Sequence, residues 1–94
     1  MKIRPDTVIK RTETQVSSPL GEEVAILDTE NGIYYSLNGT GASIWDELKE
    51  AKTVEQLTEA IVSVFRVDKS ECLADLQAFL QELIDQKLIE IVNS

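Results

Sequence analysis

The order of apolar and polar positions divides the chain into three short extended runs, three helical runs and an extended end. Thr7 to Val16, TVIKRTETQV, is rich in β-branched residues at irregular alternation and predicts a first strand. Ser17 to Gly21, SSPLG, predicts a turn, because Pro19 and Gly21 each interrupt regular structure. Glu22 to Asp28 predicts a second strand. Thr29 to Gly32 closes it with Asn-Gly, a strong hairpin signal. Ile33 to Leu37, IYYSL, predicts the third strand. Three short strands joined by tight turns form an antiparallel meander.

The pattern then changes period. Ala42, Ile44, Trp45 and Leu48 share one face of a helix running from about Thr40 to Glu50. Thr53 to Gln56 has the form of a capping box and opens a second helix. The apolar face of that helix is Val54, Leu57, Ile61, Val64 and Phe65. Arg66 to Asp68 is a short connection. Asp68 or Ser70 caps a third helix, with Glu71 in the first turn, where the helix dipole favours an acid. It runs to about Gln86, and Leu88 to Val92 is a short extended end. The implied fold is α+β and winged helix-turn-helix-like, a three-stranded antiparallel sheet followed by three helices. It is expected to be a single domain spanning residues 1–94.

Two elements carry more apolar surface than a small core needs. Alternation puts Ile33, Tyr35 and Leu37 on one face of the third strand, and Tyr34 and Ser36 on the other. Round the third helix, at about 100° per residue, come Phe79, Cys72, Leu83, Leu76, Leu80, Leu73, Ile84 and Leu88. That arc covers about half the circumference, wider than the ~100° stripe of a typical surface helix. Leu73, Leu80 and Ile84 can serve the core, leaving Cys72, Phe79 and Leu83 to face a groove with Asp75, Glu82 and Gln86 as a polar rim. The opposite assignment of the two edges is equally compatible with the periodicity. So is a helix buried across its whole wide face.

Composition narrows the chemistry. The 94 residues carry a net charge of −8, with Lys2, Arg4, Lys10 and Arg11 near the start and acids concentrated in the second half. Such a surface repels nucleic-acid phosphates and anionic membrane. No apolar run approaches the ~20 residues that cross a bilayer. The start, MKIRPDTVIKRTE, lacks the apolar core of a secretory signal, so the expected location is the cytoplasm. There is one cysteine, Cys72, and no histidine. This removes Ser–His–Asp and Cys–His chemistry and leaves little for a metal site, so neither enzyme activity nor a cofactor is expected.

Asn38-Gly39-Thr40-Gly41 raises the question of a phosphate cradle. A dinucleotide fingerprint needs a third glycine where Ile44 stands, and a Walker loop needs Gly-Lys-Ser/Thr. The segment reads as a turn and helix entry, capped by Asn38 or Thr40, with Trp45 in the core. A winged-helix DNA regulator is the alternative shape-based reading. The third helix opposes it, since its polar face holds Glu71, Asp75, Glu82 and Asp85. An acidic carrier protein needs a modifiable serine, commonly within Asp-Ser-Leu, and that tripeptide is absent. A sheet edge beside an apolar helix edge rimmed by carboxylates suits an added peptide strand instead.

The stretch LDTENGIYYSLNGTGASIWDEL, Leu27 to Leu48, together with the amphipathic helices after it, resembles the PqqD-like family. That family comprises recognition elements for ribosomally made, post-translationally modified peptides. The resemblance implies a non-catalytic protein that holds the leader segment of a precursor peptide and presents it to modifying enzymes. It places the leader as an added strand along Ile33, Tyr34, Tyr35, Ser36 and Leu37, in a groove beside the third helix. On that helix the peptide-binding candidates are Leu76, Phe79 and Leu83, with Asp75 and Glu82 as acids that meet a basic leader residue. The partners implied are the precursor leader peptide, a leader peptidase and a ring-forming cyclase, as in lasso-peptide biosynthesis. A peptide chaperone for the radical enzyme of the quinone-cofactor pathway is the second possibility.

Overall fold

The computed structural model describes residues 3–92. Lys2, counted above among the amino-terminal cations, lies outside the described residues. The elements are β1 (Val8–Arg11), β2 (Gln15–Leu20), β3 (Glu23–Asp28), β4 (Ile33–Leu37), α1 (Gly39–Glu47), β5 (Lys52–Thr53), α2 (Val54–Phe65), α3 (Lys69–Asp85) and β6 (Ile89–Val92). They form two three-stranded antiparallel sheets, one in the order β5-β1-β6 and the other in the order β2-β3-β4. The α+β class and the three helices agree with the expectation. The expected first strand divides into two, and its halves join different sheets.

The division occurs at Thr12. Its backbone N–H donates to the Leu88 carbonyl at 3.0 Å and its hydroxyl to the Lys87 carbonyl at 2.9 Å. These bonds pin the end of β1 against the chain that leads into β6, and the chain then turns away into the second sheet. The expected turn at Ser17 to Gly21 is mostly strand, and only Gly21 and Glu22 make the turn. Pro19 is tolerated because β2 is an edge strand, where a missing N–H costs no ladder bond.

The hairpin between β3 and β4 uses its Asn-Gly differently from a two-residue turn. Gly32 takes φ 68° and donates to the Asp28 carbonyl at 2.8 Å. Asp28 collects the loop, accepting from the backbone N–H of Glu30 at 3.0 Å, that of Asn31 at 3.3 Å, and the Asn31 side-chain amide at 2.9 Å. These bonds, with the Asn31 side chain foremost, hold the buried Asp28 carboxyl below its usual pKa.

The helices start as the sequence dictates. Thr53 and Gln56 form the capping box, at 3.0 Å from the Gln56 N–H to the Thr53 hydroxyl and 2.9 Å from the Thr53 N–H to the Gln56 amide oxygen. Asp68 caps α3, accepting from the Glu71 N–H at 3.1 Å. Asn38 is the N-cap of α1 without a side-chain bond. Val64, expected on the apolar face of α2, is 70 % exposed. Periodicity fixes its angle round the axis, but the last turn of α2 runs past the elements that cover Leu57 and Ile61, and the helix stops at Arg66 with φ 54°.

The core lies between the sheets and the helices. Ile9 and Ile89 from the first sheet and Val24 and Ile26 from the second meet Trp45, Leu48, Leu57 and Leu80. Trp45 is fully buried, as expected. Arg11 on β1 stacks on its indole at 4.5 Å and donates to its carbonyl oxygen, tying the first sheet to α1. Among the described residues no helix is long and apolar enough to cross a membrane.

Candidate functional site

β4 is the last strand of its sheet, paired with β3 on one side only. Alternate backbone N–H and C=O groups along its other side are therefore free of any strand partner. The carboxyl end of β4 opens onto a groove of about 480 Å³, walled on the far side by α3. Ser36 and Leu37 line the strand side, and Asp75, Leu76 and Phe79 line the helix side. The floor is apolar, supplied by Ile44 of α1 and Ile61 of α2, with Phe65 and Val67 at the mouth.

Gly41 lines this groove opposite Phe79. It faces α3, and a Cβ there would sit 3.3 Å from Phe79 Cζ and 3.9 Å from Leu37 Cβ. Without a side chain, the first turn of α1 lets the Phe79 ring approach closely. The two glycines of the Gly-x-Gly therefore serve a helix entry and a packing contact, not a phosphate.

The groove is apolar inside and acidic at its rim. Glu71 and Asp75 line it from α3, and neither forms an ion pair among the described residues. Cys72 also lines it but is nearly buried. Burial first, and the Asp75 charge second, push its thiol above the ordinary pKa. It stays protonated at neutral pH and is a poor nucleophile. A row of apolar side chains, unpaired strand groups and two free carboxylates is suited to binding an extended chain.

Five of the ten residues marked in the sequence thus line one groove: Ser36, Leu37, Asp75, Leu76 and Phe79. The other five do not line the groove, although Ile33, Tyr34 and Tyr35 belong to β4. Tyr35 packs inward, half-buried against the core, while Ile33 and Tyr34 are exposed, Tyr34 on the opposite face of the sheet. Glu82 is exposed one turn beyond Phe79 on α3. Leu83 is 3 % exposed and belongs to the core. The core stripe of α3 is Cys72, Leu76, Leu80 and Leu83, the middle of the arc and part of the edge expected to face the groove. The sequence places Phe65 on the apolar face of the second helix and Gly41 in a helix entry, and marks neither of them, nor Val67, for the site; Phe65 is 38 % exposed at the groove mouth instead. The apolar pair flanking Arg66, one ending α2 and one in the connection, is a signal for Phe65 and Val67. Nothing local marks Gly41 as a contact glycine.

Comparisons with known proteins bear on the family and the fold. The family described as Coenzyme PQQ synthesis protein D (PqqD) matches residues 23–89. No curated protein matches. Among solved structures, one of TbiB1 in complex with the TbiA(beta) leader peptide is 32 % identical, covers 90 % of this chain and 99 % of that chain, and superposes with a TM-score of 0.84. A second, lasso peptide synthetase B1 complexed with the leader peptide, is 18 % identical, covers 87 % of this chain and 96 % of that chain, with a TM-score of 0.78, and speaks for the fold. The family match takes in β3, β4 and all three helices, the elements that build the groove. The chain belongs to the PqqD family.

Proposed function

We propose that this chain is a single, non-catalytic peptide-recognition domain of lasso-peptide biosynthesis. It holds the leader segment of a ribosomally made precursor as an added strand along the free side of β4, against α3. It presents the precursor to a leader peptidase and a ring-forming cyclase in the cytoplasm. The observation that carries this reading is a sheet edge opening onto an apolar groove with a carboxylate rim. An extended peptide satisfies the backbone groups of β4, and its alternate side chains enter the groove. Phe79 receives an apolar side chain over a floor to which the buried Leu76 contributes, and Asp75 and Glu82 meet a basic one. Ile33 to Leu37 contribute chiefly their backbone, and Leu83 supports the helix from the core. The similarity to TbiB1, solved in complex with a leader peptide, supports a leader-binding role.

The family's own description, which names quinone-cofactor synthesis, favours one other reading; in it the chain would deliver its peptide to a radical enzyme. The two differ in the precursor bound, not in the site. A labelled leader of the lasso precursor encoded beside this chain, titrated with the protein and followed by fluorescence anisotropy, tests the proposal. Saturable binding at moderate salt is expected. A folded protein that leaves the anisotropy unchanged sinks the lasso reading. Binding of the quinone-cofactor precursor instead would establish the second.

A further inference from the structure

The groove uses one side of the β2-β3-β4 sheet, and the other face of that sheet is bare. Register places Val16, Leu27 and Tyr34 opposite one another in a single cross-strand row. They are 61 %, 42 % and 61 % exposed, and Leu20 on the same face is 56 % exposed. The next row is Ser18, Ala25 and Ser36, three small residues that leave a shallow flat floor beside the apolar one, with Ser36 at the β4 edge where this face meets the groove. An apolar row of this kind is unusual on a surface that meets only water, because antiparallel sheets with one solvated face place polar residues there.

The charge that the meander itself carries is of one sign, the nearest cations, Lys10, Arg11, Lys49 and Lys87, all lying outside it. From Thr12 to Leu37 there is no lysine or arginine, while Glu13, Glu22, Glu23 and Glu30 are all exposed around the sheet. None of these four is in an ion pair among the described residues. A second copy of this chain would bring glutamates against glutamates. A protein with an apolar centre ringed by lysine and arginine would match both features.

We infer that the outer face of the β2-β3-β4 sheet, centred on Val16, Leu27 and Tyr34, is the docking surface for a basic-rimmed processing enzyme. The enzyme sits beside the peptide held on β4 without competing for the groove. The face itself is argued from exposure, register and charge. Only the choice of a processing enzyme as occupant rests on the function proposed above.

The test uses the full chain with the purified leader peptidase and the purified cyclase encoded with the precursor. Val16→Thr/Leu27→Thr removes the two aliphatic members of the row while placing β-branched, strand-favouring side chains there. Isothermal titration should show wild type binding one of the enzymes and the double variant binding it at least about tenfold more weakly. Glu22→Lys/Glu23→Lys should slow the association rate and flatten its salt dependence. Both variants should bind labelled leader as wild type does. A wild-type chain that binds leader but neither enzyme overturns the docking surface and leaves the groove standing. A double variant that binds the enzyme undiminished also overturns it. So does a wild-type dimer in sedimentation that the double variant abolishes, which assigns the face to a second copy. Failure of the wild type to bind leader counts against the groove and is scored on that titration alone.

Discussion

β1 gathers its neighbours from far along the chain, with Val8 opposite Val92 on one side and opposite Thr53 on the other. β2, β3 and β4 follow one another within Gln15–Leu37. The first sheet turns Ile9 and Ile89 wholly into the core, and Arg11 over Trp45 binds it to α1. The second sheet contributes Val24 and Ile26 to the core but leaves the outer sides of β2 and β4 unpaired and one face uncovered. The long-range sheet closes the domain and the local sheet is left open for partners. An open strand edge is ordinarily an aggregation hazard, and here the glutamates around the meander temper it.

Removing a buried side chain from the closing sheet is the most damaging way to test this division. Ile9→Ala deletes a fully buried side chain at the centre of β1 and should cost about 3 kcal/mol, within the roughly 2–5 kcal/mol of such core truncations. Thermal unfolding followed by circular dichroism should show a Tm lower by more than about 10 °C. Val16→Thr/Leu27→Thr on the bare face should stay within about 1 kcal/mol of wild type, as two exposed substitutions do. Equal losses in the two proteins would mean that the outer face is structural and the contrast is false.

The same contrast explains what the sequence disclosed. Ile33–Leu37 was legible residue for residue, and Glu23–Asp28 to within one, because turn chemistry and alternation are local signals. The capping box at Thr53 and the cap at Asp68 were legible for the same reason. The pairing of Val8 with Val92 leaves no local mark, so β1 was merged with β2 and β5 was missed. Pro19 read as a turn because only topology says that its strand is an edge. In the groove, a helical wheel gave the angles of Phe79 and Leu83 but not the depth of the neighbours, so one lines the groove and the other is core.

Within the open sheet, the two aromatics Phe79 and Tyr34 sharpen the comparison between groove and outer face. Phe79→Ala should weaken leader binding by more than about 1 kcal/mol, more than fivefold in Kd, as an anchor in an apolar groove does. Tyr34→Ala should change leader affinity less, since its ring stands on the opposite face beside Leu27. Anisotropy titrations of both variants settle the order. If Tyr34→Ala is the more damaging, the leader crosses the outer face.

Asp28 offers a pH test confined to the β3–β4 hairpin. Its folded pKa is lowered from 3.8, chiefly by the Asn31 amide. Its contribution is therefore fully present above the unfolded value of about 3.9 and is lost as pH falls through the lower folded pKa. Asp28→Ala should lower Tm at pH 7 and remove part of the fall in Tm between about pH 4 and pH 2. Parallel Tm–pH curves for the two proteins would show that the Asn31 bond contributes nothing.

The smallest effect is expected at Gly41, where two terms oppose each other. In α1, alanine is favoured over glycine by roughly 0.5–1 kcal/mol of conformational entropy. Against that, the new Cβ meets the tip of the Phe79 ring at 3.3 Å, which must give by a few tenths of an ångström. A ring end on a half-buried side chain can move toward the open groove, so the stability of Gly41→Ala should stay within about 0.5 kcal/mol of wild type. The moved ring narrows the space the leader occupies, so leader Kd should rise with Tm nearly unchanged. This split between affinity and stability is specific to a glycine that shapes the groove. A Tm loss with unaltered leader binding would instead make Gly41 a packing residue of the core, and Phe79 would no longer be a wall of the leader's groove.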